Sequence, residues 1–325
     1  MSNTELTMVT KDYDHVAPLA CGDVDVKGID LIHERDTPNA LGRTLNDPSI
    51  DVGEMSFSRH LIRLANGDRS IVGIPVFPTR GFRERCFFVL EDSELQDLTD
   101  LAGKRVGTNE WPATGNTWSR AVLRERGVSI DSINWSVGPV EDPNASPRSQ
   151  GDLPDYVQQT GSDQFLVQML HDGTLDAMMV PLPPRGLYDE SDPLVRLFPD
   201  YRRVEKGYYR RTNVYPVHHL IGIRREVFER DPWVAQRIYE AMDRSKRLWQ
   251  QNRRRLTDTT TWLLTEIEET MELIGEDWLP YGIESNRHAI EVLCEEEHAQ
   301  GLIDEPIDPD TVFTEYEEQV GTAHE

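Results

Sequence analysis

Short runs of apolar, β-branched and aromatic residues punctuate the first two thirds of the chain. They fall at LTMVT (6–10), IDLIHE (29–34), DVGEMSF (51–57), SIVGIPVF (70–77), CFFVL (86–90), KRVGTN (104–109), INWSV (133–137), DAMMVP (176–181) and VHHLIGI (217–223). Between several of them apolar residues recur every three or four positions, as in SRHLIRLANG (58–67), TGNTWSRAVLRERG (114–127) and SDQFLVQMLHDG (162–173), which predicts amphipathic helices. Gly127 and Gly173 read as the closing residues of the last two, and Ser162 as the N-cap of the third. Strands alternating with helices imply an α/β protein with a mostly parallel sheet. GPVEDPNASPRSQGDLPD (138–155) and PLPPRGLYDESDP (181–193) read as surface loops. After VHHLIGI the chain turns helical and charged. PWVAQRIYEAMDRSKRLWQQNRRRL (232–256) places Pro232 at an expected first helical position, and TTTWLLTEIEETMELIG follows. No internal repeat stands out at a period of roughly 20–50 residues.

The run 86–90 reads as a strand entering a second α/β unit, and 217–223 as a strand returning to the first. The expected organisation is a discontinuous first lobe, 1–88 plus 216–325, which carries the C-terminal helices, and a second lobe, 89–215. A cleft between two such lobes would hold a small ligand. His218 and His219 then lie at the return hinge, and as neighbours on a strand they point to opposite faces. Period two groups His219 with Val217 and Ile221, and His218 with Pro216 and Leu220, so hydrophobicity does not separate the faces.

Composition narrows the partners. The chain has 325 residues, with 58 Asp plus Glu against 34 Lys plus Arg, a formal net charge of −24. Such a surface repels nucleic acid and anionic lipid, so neither is an expected partner. Only five of the 34 basic residues are Lys. The self-repulsion would be relieved by salt screening, which fits a halophilic protein; an ordinary acidic cytosolic protein is the plainer reading. Cys21, Cys86 and Cys294 are widely spaced and form no CxxC pair, which suits a reducing compartment and offers neither a disulfide framework nor a zinc site. The first residues, MSNTELTMVTKDYDH, lack the features of a signal peptide, and no stretch approaches the ~20 apolar residues that span a membrane. A cytoplasmic location is expected.

Several residues sit where chemistry would be placed. Arg80, in PVFPTRGFR, should follow a strand, and strand ends in open α/β sheets face the ligand crevice. A guanidinium there can grip a carboxylate; a surface arginine is the alternative. In EMSFS (54–58) either Ser56 or Ser58 would cap the following helix, whose N-terminus attracts anions. Glu54 beside an anionic ligand would be repulsive unless protonated or ion-paired; it reads either as half of a structural pair with an Arg or as the acceptor of a substrate hydroxyl. GTNEWPATGNTW (107–118) is the matching strand end of the second lobe. Asn109 and Thr114 could donate to a carboxylate there. Trp111 and Trp118 could stack on a ring, though Trp118, inside the helix, reads first as core. Tyr13 and His15 occupy the first strand-end loop, KDYDHV, where a ligand contact and a merely solvated histidine both remain open. No metal site is expected, since adjacent strand histidines diverge.

With these residues in view, the chain resembles the 4,5-dihydroxyphthalate decarboxylases, a family of the type II periplasmic-binding-protein fold. The matching stretches are DVGEMSFSRHLI (51–62), GIPVFPTRGFR (73–83), LAGKRVGTNEW (101–111), TWSRAVLRERGV (117–128), MLHDGTLDAMM (169–179) and YPVHHLIGIRREVFERDPWVAQRIYEA (215–241). EMSFS, PVFPTRGF and YPVHH carry the resemblance most specifically. It implies a two-lobed fold with a helical C-terminal extension, a small-molecule aromatic carboxylate as ligand, degradation of aromatic acids as setting, and no dedicated cofactor. It also matches His219, through Tyr-Pro-x-x-His, and so turns that residue rather than His218 toward the cleft. The implied reaction protonates the ring carbon bearing a carboxylate, and CO2 leaves as the ring rearomatises. His219 would supply the proton, Glu54 or His15 would hold the phenolic hydroxyl, and Arg80 with two helix N-termini would clamp the remaining carboxylate. RERCFF, after PVFPTRGF, departs from the family's basic and aromatic pattern and points to a different ring substituent. Family members that only bind solutes keep a second reading in place: binding or sensing of an aromatic or other small carboxylate. The acidic C-terminal helices are either a solvated face or a surface for a homo-oligomer.

Overall fold

The computed structural model describes residues 3–142 and 151–322; the middle of the expected 138–155 loop, residues 143–150, lies outside the described residues. The strands are β1 (Thr4–Thr10), β2 (Ile29–Arg35), β3 (Val52–Ser56), β4 (Ile71–Ile74), β5 (Phe87–Leu90), β6 (Arg105–Thr108), β7 (Asn134–Val137), β8 (Val157–Gln159), β9 (Ala177–Met179), β10 (Leu194–Arg196) and β11 (His219–Arg224). The α-helices are α1 (Ala17–Ala20), α2 (Ala40–Asn46), α3 (Phe57–Ala65), α4 (Thr114–Glu125), α5 (Leu166–His171), α6 (Tyr201–Thr212), α7 (Arg225–Arg230), α8 (Val234–Arg255), α9 (Leu263–Ile274), α10 (Arg287–Ala299) and α11 (Thr314–Thr322). The chain divides into two units, Met1–Arg80 with Val217–Glu291 and Ile307–Glu325, and Gly81–Pro216 with Val292–Pro306. The first boundary thus falls eight residues before the expected one.

The first unit is built on a five-stranded sheet in the order β2-β1-β3-β11-β4. β1 runs parallel to β2 and β3, whereas β11 runs antiparallel to β3 and β4. Every residue of β3 and β4 is buried, as expected of strands covered on both faces. One such contact is unusually close. A Cβ on Gly53 would lie 2.2 Å from Thr44 Oγ1, so glycine lets α2 pack directly on the central strand. Thr44 Oγ1 donates to the carbonyls of Ala40 and Glu54 at 2.9 and 2.8 Å, which ties that helix to β3. Elsewhere in the unit, Phe57, Phe77 and Phe313 meet with ring centroids 5.8–6.0 Å apart.

The second unit holds a six-stranded sheet in the order β10-β5-β9-β6-β7-β8, parallel from β9 to β8 and antiparallel at β5 and β10. Phe88, Leu166, Leu170, Met178 and Leu194 belong to one apolar cluster of this unit. Residues 292–306, expected in the first lobe, belong here instead. Arg120, a fully buried residue of α4, is one of the residues that tie them to this unit. Its guanidinium lies 4.0 Å from the Trp111 ring and donates through Nε to Gln300 Oε1 at 2.6 Å. A charge buried this deeply requires such partners.

Two local expectations are corrected. Ser162 is not a cap, because the helix starts at Leu166 after Phe165, the intervening turn being closed by Gly161 N–H on Gln164 Oε1 at 2.9 Å. Pro232 is not the first helical residue; it precedes the cap Trp233 of α8. Among the described residues no helix is long and apolar enough to cross a membrane.

Candidate active site

The register of β3 against β11 builds the site. His219 pairs with Ser56 and Ile221 with Glu54. Glu54, Ser56 and His219 therefore share one face, and Glu54 and His219 are diagonal neighbours across two strands, within reach of long side chains. His219 Nδ1 bonds Glu54 Oε1. The Tyr13 hydroxyl donates to the same oxygen at 2.7 Å, and the Lys11 amide, just beyond β1, donates to Oε2 at 2.8 Å. β1 and β3 are parallel and β11 is antiparallel, so the carboxyl ends of two strands and the start of a third converge. That is the edge of an α/β sheet where ligands bind.

Glu54 is fully buried, while the His219 side chain keeps 14% exposure. Burial works against ionising Glu54. The bond and charge of His219, the Lys11 amide and the Tyr13 hydroxyl outweigh it and hold the carboxyl below its ordinary range. Burial, reinforced by the Glu54 charge and hydrogen bond, pushes the Tyr13 phenol far above its ordinary value, so Tyr13 remains a donor. A carboxylate only accepts, which assigns the Nδ1 proton to His219. Nε2 is then the ring nitrogen left to gain or lose a proton, and the charge of Glu54 favours the imidazolium over the neutral ring.

His15 stacks on Tyr13 with ring centroids 5.3 Å apart, and burial lowers its pKa to about 4, so it is neutral. Ser56 caps α3 by accepting from the Arg59 amide at 3.4 Å, and Ser58 is buried in the first turn. The first unit thus gathers Glu54, His219, Tyr13 and His15, with Ser56 alongside. Arg80 belongs to the same unit, where its Nη2 donates to Pro280 O at 2.9 Å and to Asn286 Oδ1. It fastens a loop, a role not foreseen. His218, on the opposite strand face, is buried, and its backbone bonds Thr79 and Phe57.

The remaining candidates lie in the second unit. Asn109 Oδ1 accepts from Asn116 Nδ2 at 3.1 Å. Thr114 opens α4 without a side-chain cap on the preceding Ala113. Trp118 has no exposed surface, so the ring-stacking role gives way to the core one. Sequence reasoning missed the Glu54–His219 and Tyr13–Glu54 bonds and the Lys11 amide; the partners lie 165, 41 and 43 positions apart. Among the described residues no group of three His, Cys, Asp or Glu could hold a metal ion.

No family model matches the chain. It is 29% identical, over 96% of its length and 97% of the relative's, to a 4,5-dihydroxyphthalate decarboxylase of Comamonas testosteroni. Among solved structures it resembles the periplasmic aliphatic sulphonate binding protein SsuA of Escherichia coli, at 15% identity, 95% and 97% coverage and a TM-score of 0.55. It also resembles a cysteine-to-serine mutant of the desulfurization enzyme DSZB in complex with biphenyl-2-sulfinic acid, at 16% identity, 98% and 99% coverage and a TM-score of 0.56. The chain is therefore a homologue of the 4,5-dihydroxyphthalate decarboxylases, built on the type II periplasmic-binding-protein fold.

Proposed function

We propose that this protein decarboxylates a hydroxylated aromatic dicarboxylate without a cofactor, converting 4,5-dihydroxyphthalate or a near relative to 3,4-dihydroxybenzoate. The observation that carries this reading is the buried Glu54 carboxylate bonded to His219. A protein that only binds an anion gains nothing from a buried negative charge at its site. A proton donor does, because the charge stabilises the imidazolium and fixes the ring.

Direct loss of CO2 would leave an aryl carbanion of very high energy. In 4,5-dihydroxyphthalate each carboxylate is para to one hydroxyl. As that hydroxyl releases its proton to solvent, electron density reaches the carbon bearing the carboxylate, which takes a proton from His219 Nε2. The intermediate is a cyclohexadienone with an sp3 carbon carrying H and the carboxylate. The C–C bond then breaks, its electron pair restores the aromatic ring, and the phenolate oxygen is reprotonated. One proton is consumed and one CO2 released, with no change of oxidation state that requires an external electron carrier.

The test is incubation with 4,5-dihydroxyphthalate in D2O, followed by proton NMR, beside a His219→Ala control. Product deuterated at the carbon that lost its carboxylate, and none from the variant, is the expected result. A ligand-dependent rise in melting temperature without product would instead support the second reading, binding without turnover. The use of this fold by SsuA, named as a sulphonate binding protein, favours that alternative.

A further inference from the structure

Buried polar atoms without partners are rare in native structures, and three of them share one neighbourhood of the first unit. They are His15 Nε2, Trp249 Nε1 and the Tyr281 hydroxyl. His15 is 7% and Tyr281 5% exposed. Side-chain geometry links the three. The His15 ring meets Trp249 edge-on at 5.7 Å and stacks on Tyr13, whose hydroxyl bonds Glu54. Lys246, three residues before Trp249 on the same face of α8, sits 4.5 Å from the Tyr281 ring centroid. The main chain is pinned as well. Ser245 Oγ donates to the His15 carbonyl at 2.8 Å, and Asn286 Nδ2 holds the carbonyls flanking Tyr281, Pro280 at 3.1 Å and Gly282 at 2.7 Å. Arg80 completes that staple on Pro280. The orphaned atoms are therefore held on fixed backbone beside the Glu54 network.

We propose that His15 Nε2, Trp249 Nε1 and the Tyr281 hydroxyl form a subsite for the second ring hydroxyl of a catechol-type substrate, the one not para to the departing carboxylate. The inference rests on the decarboxylase reading and sharpens its substrate class. Hydrogen-bonding capacity selects the group. A hydroxyl donates once and accepts twice. In its Nδ1–H tautomer neutral His15 offers one acceptor at Nε2, while Trp249 and Tyr281 offer two donors. A carboxylate has no proton for His15 Nε2, and a bare C–H leaves all three atoms unpaired. Lys246 is committed to Asp243 and Asp277 at 3.0 and 2.7 Å and brings no uncompensated charge that would favour an anion.

The full-length protein is compared as wild type, Tyr281→Phe and His15→Leu on 4,5-dihydroxyphthalate and 4-hydroxyphthalate, by steady-state kinetics and by calorimetric binding. The wild type is expected to favour the diol at least tenfold, and each variant to bring that ratio close to one. A parallel loss on both compounds, or an unchanged ratio in Tyr281→Phe, would overturn the subsite; the isosteric Phe removes only the hydroxyl, so misfolding does not confuse the result. If the wild type turns over neither compound, the decarboxylase reading fails, and the calorimetric ratio still decides the subsite on its own.

Discussion

Replacing Glu54 by Gln keeps the shape of the side chain and removes its charge. Glu54 Oε1 accepts from His219 Nδ1 and from Tyr13, and Oε2 accepts from the Lys11 amide. An amide cannot reproduce this pattern. With its oxygen toward His219 and Tyr13, its NH2 meets the Lys11 N–H, donor against donor. Flipped, its NH2 faces His219, which must move its proton to Nε2 and turn Nδ1 into an acceptor. In both arrangements the imidazolium loses its counter-charge. A hydrogen bond to a charged group contributes roughly 1.5–3 kcal/mol, and at 1.36 kcal/mol per decade its loss lowers kcat by about 10- to 150-fold. KM should not rise, because Glu54 acts on the reaction through His219 and the loss of its charge only relieves repulsion of an anionic substrate. The assay is initial-rate decarboxylation of 4,5-dihydroxyphthalate. Urea unfolding of the same variant provides a second reading. The Glu54 pKa is depressed in the folded protein, so its stabilisation is present above the ordinary carboxyl value of about 4.3 and is lost as pH falls through the folded one. The stability gap between wild type and variant should close as pH falls into the acid range. A kcat within threefold of wild type, or a loss confined to KM, would refute the proton-donor role assigned to the pair.

Other perturbations test the scaffold. Burial, aided by the charges of Arg63 and Arg69, lowers the His60 pKa from 6.5 to about 4. A depressed pKa adds stability that is present above 6.5 and disappears as pH falls through 4. By linkage this amounts to about 3 kcal/mol, and His60→Leu should flatten the fall in urea-unfolding free energy between those limits. Gly53→Ala would place a Cβ 2.2 Å from Thr44 Oγ1 and 2.9 Å from Thr44 Cβ. Overpacking of this kind costs roughly 1–3 kcal/mol, and because Thr44 also holds the Glu54 carbonyl, activity at 25 °C should fall with the melting temperature. Finally, a net charge of −24 predicts a melting temperature that rises steadily between 0.1 and 2 M KCl, as screening relieves repulsion.

The strands were legible because most coincide with apolar runs; β3, β5 and β9 lie inside stretches that hydrophobicity alone marks out, and β11 overruns its stretch by one residue. β8, VQQ, and β10, LVR, were not, since three-residue edge strands carry too little pattern to register. Glu54 and His219 could each be named from the sequence, but not as a pair. Their contact depends on β3 lying beside β11, a pairing between segments 165 residues apart with no local signature. Nor could hydrophobic period choose between His218 and His219, because Val217, Leu220 and Ile221 are all buried and both strand faces are apolar. Arg80 shows the reverse difficulty. Its position after a strand suggested a ligand clamp, yet Nη2 is engaged with Pro280 and Asn286, residues some 200 positions away.

A fold at 15–16% identity, used by both a binding protein and an enzyme, leaves turnover to the side chains it carries. Glu54 separates the two outcomes by sign. In a binder its charge opposes an anionic ligand; at a separation of about 6–8 Å and an effective dielectric constant near 20, that repulsion is roughly 2–3 kcal/mol. Glu54→Gln would then tighten binding of a carboxylate by about 30- to 150-fold. In a proton-donating enzyme the same substitution slows the reaction, because the charge that repels the ligand also holds the proton on His219. Calorimetry with 3,4-dihydroxybenzoate and the rate assay on one variant therefore give paired results. Tighter binding with slower turnover identifies an enzyme that accepts weaker ground-state binding in exchange for a stabilised imidazolium. Tighter binding with no wild-type turnover identifies a binder whose buried carboxylate serves its fold alone.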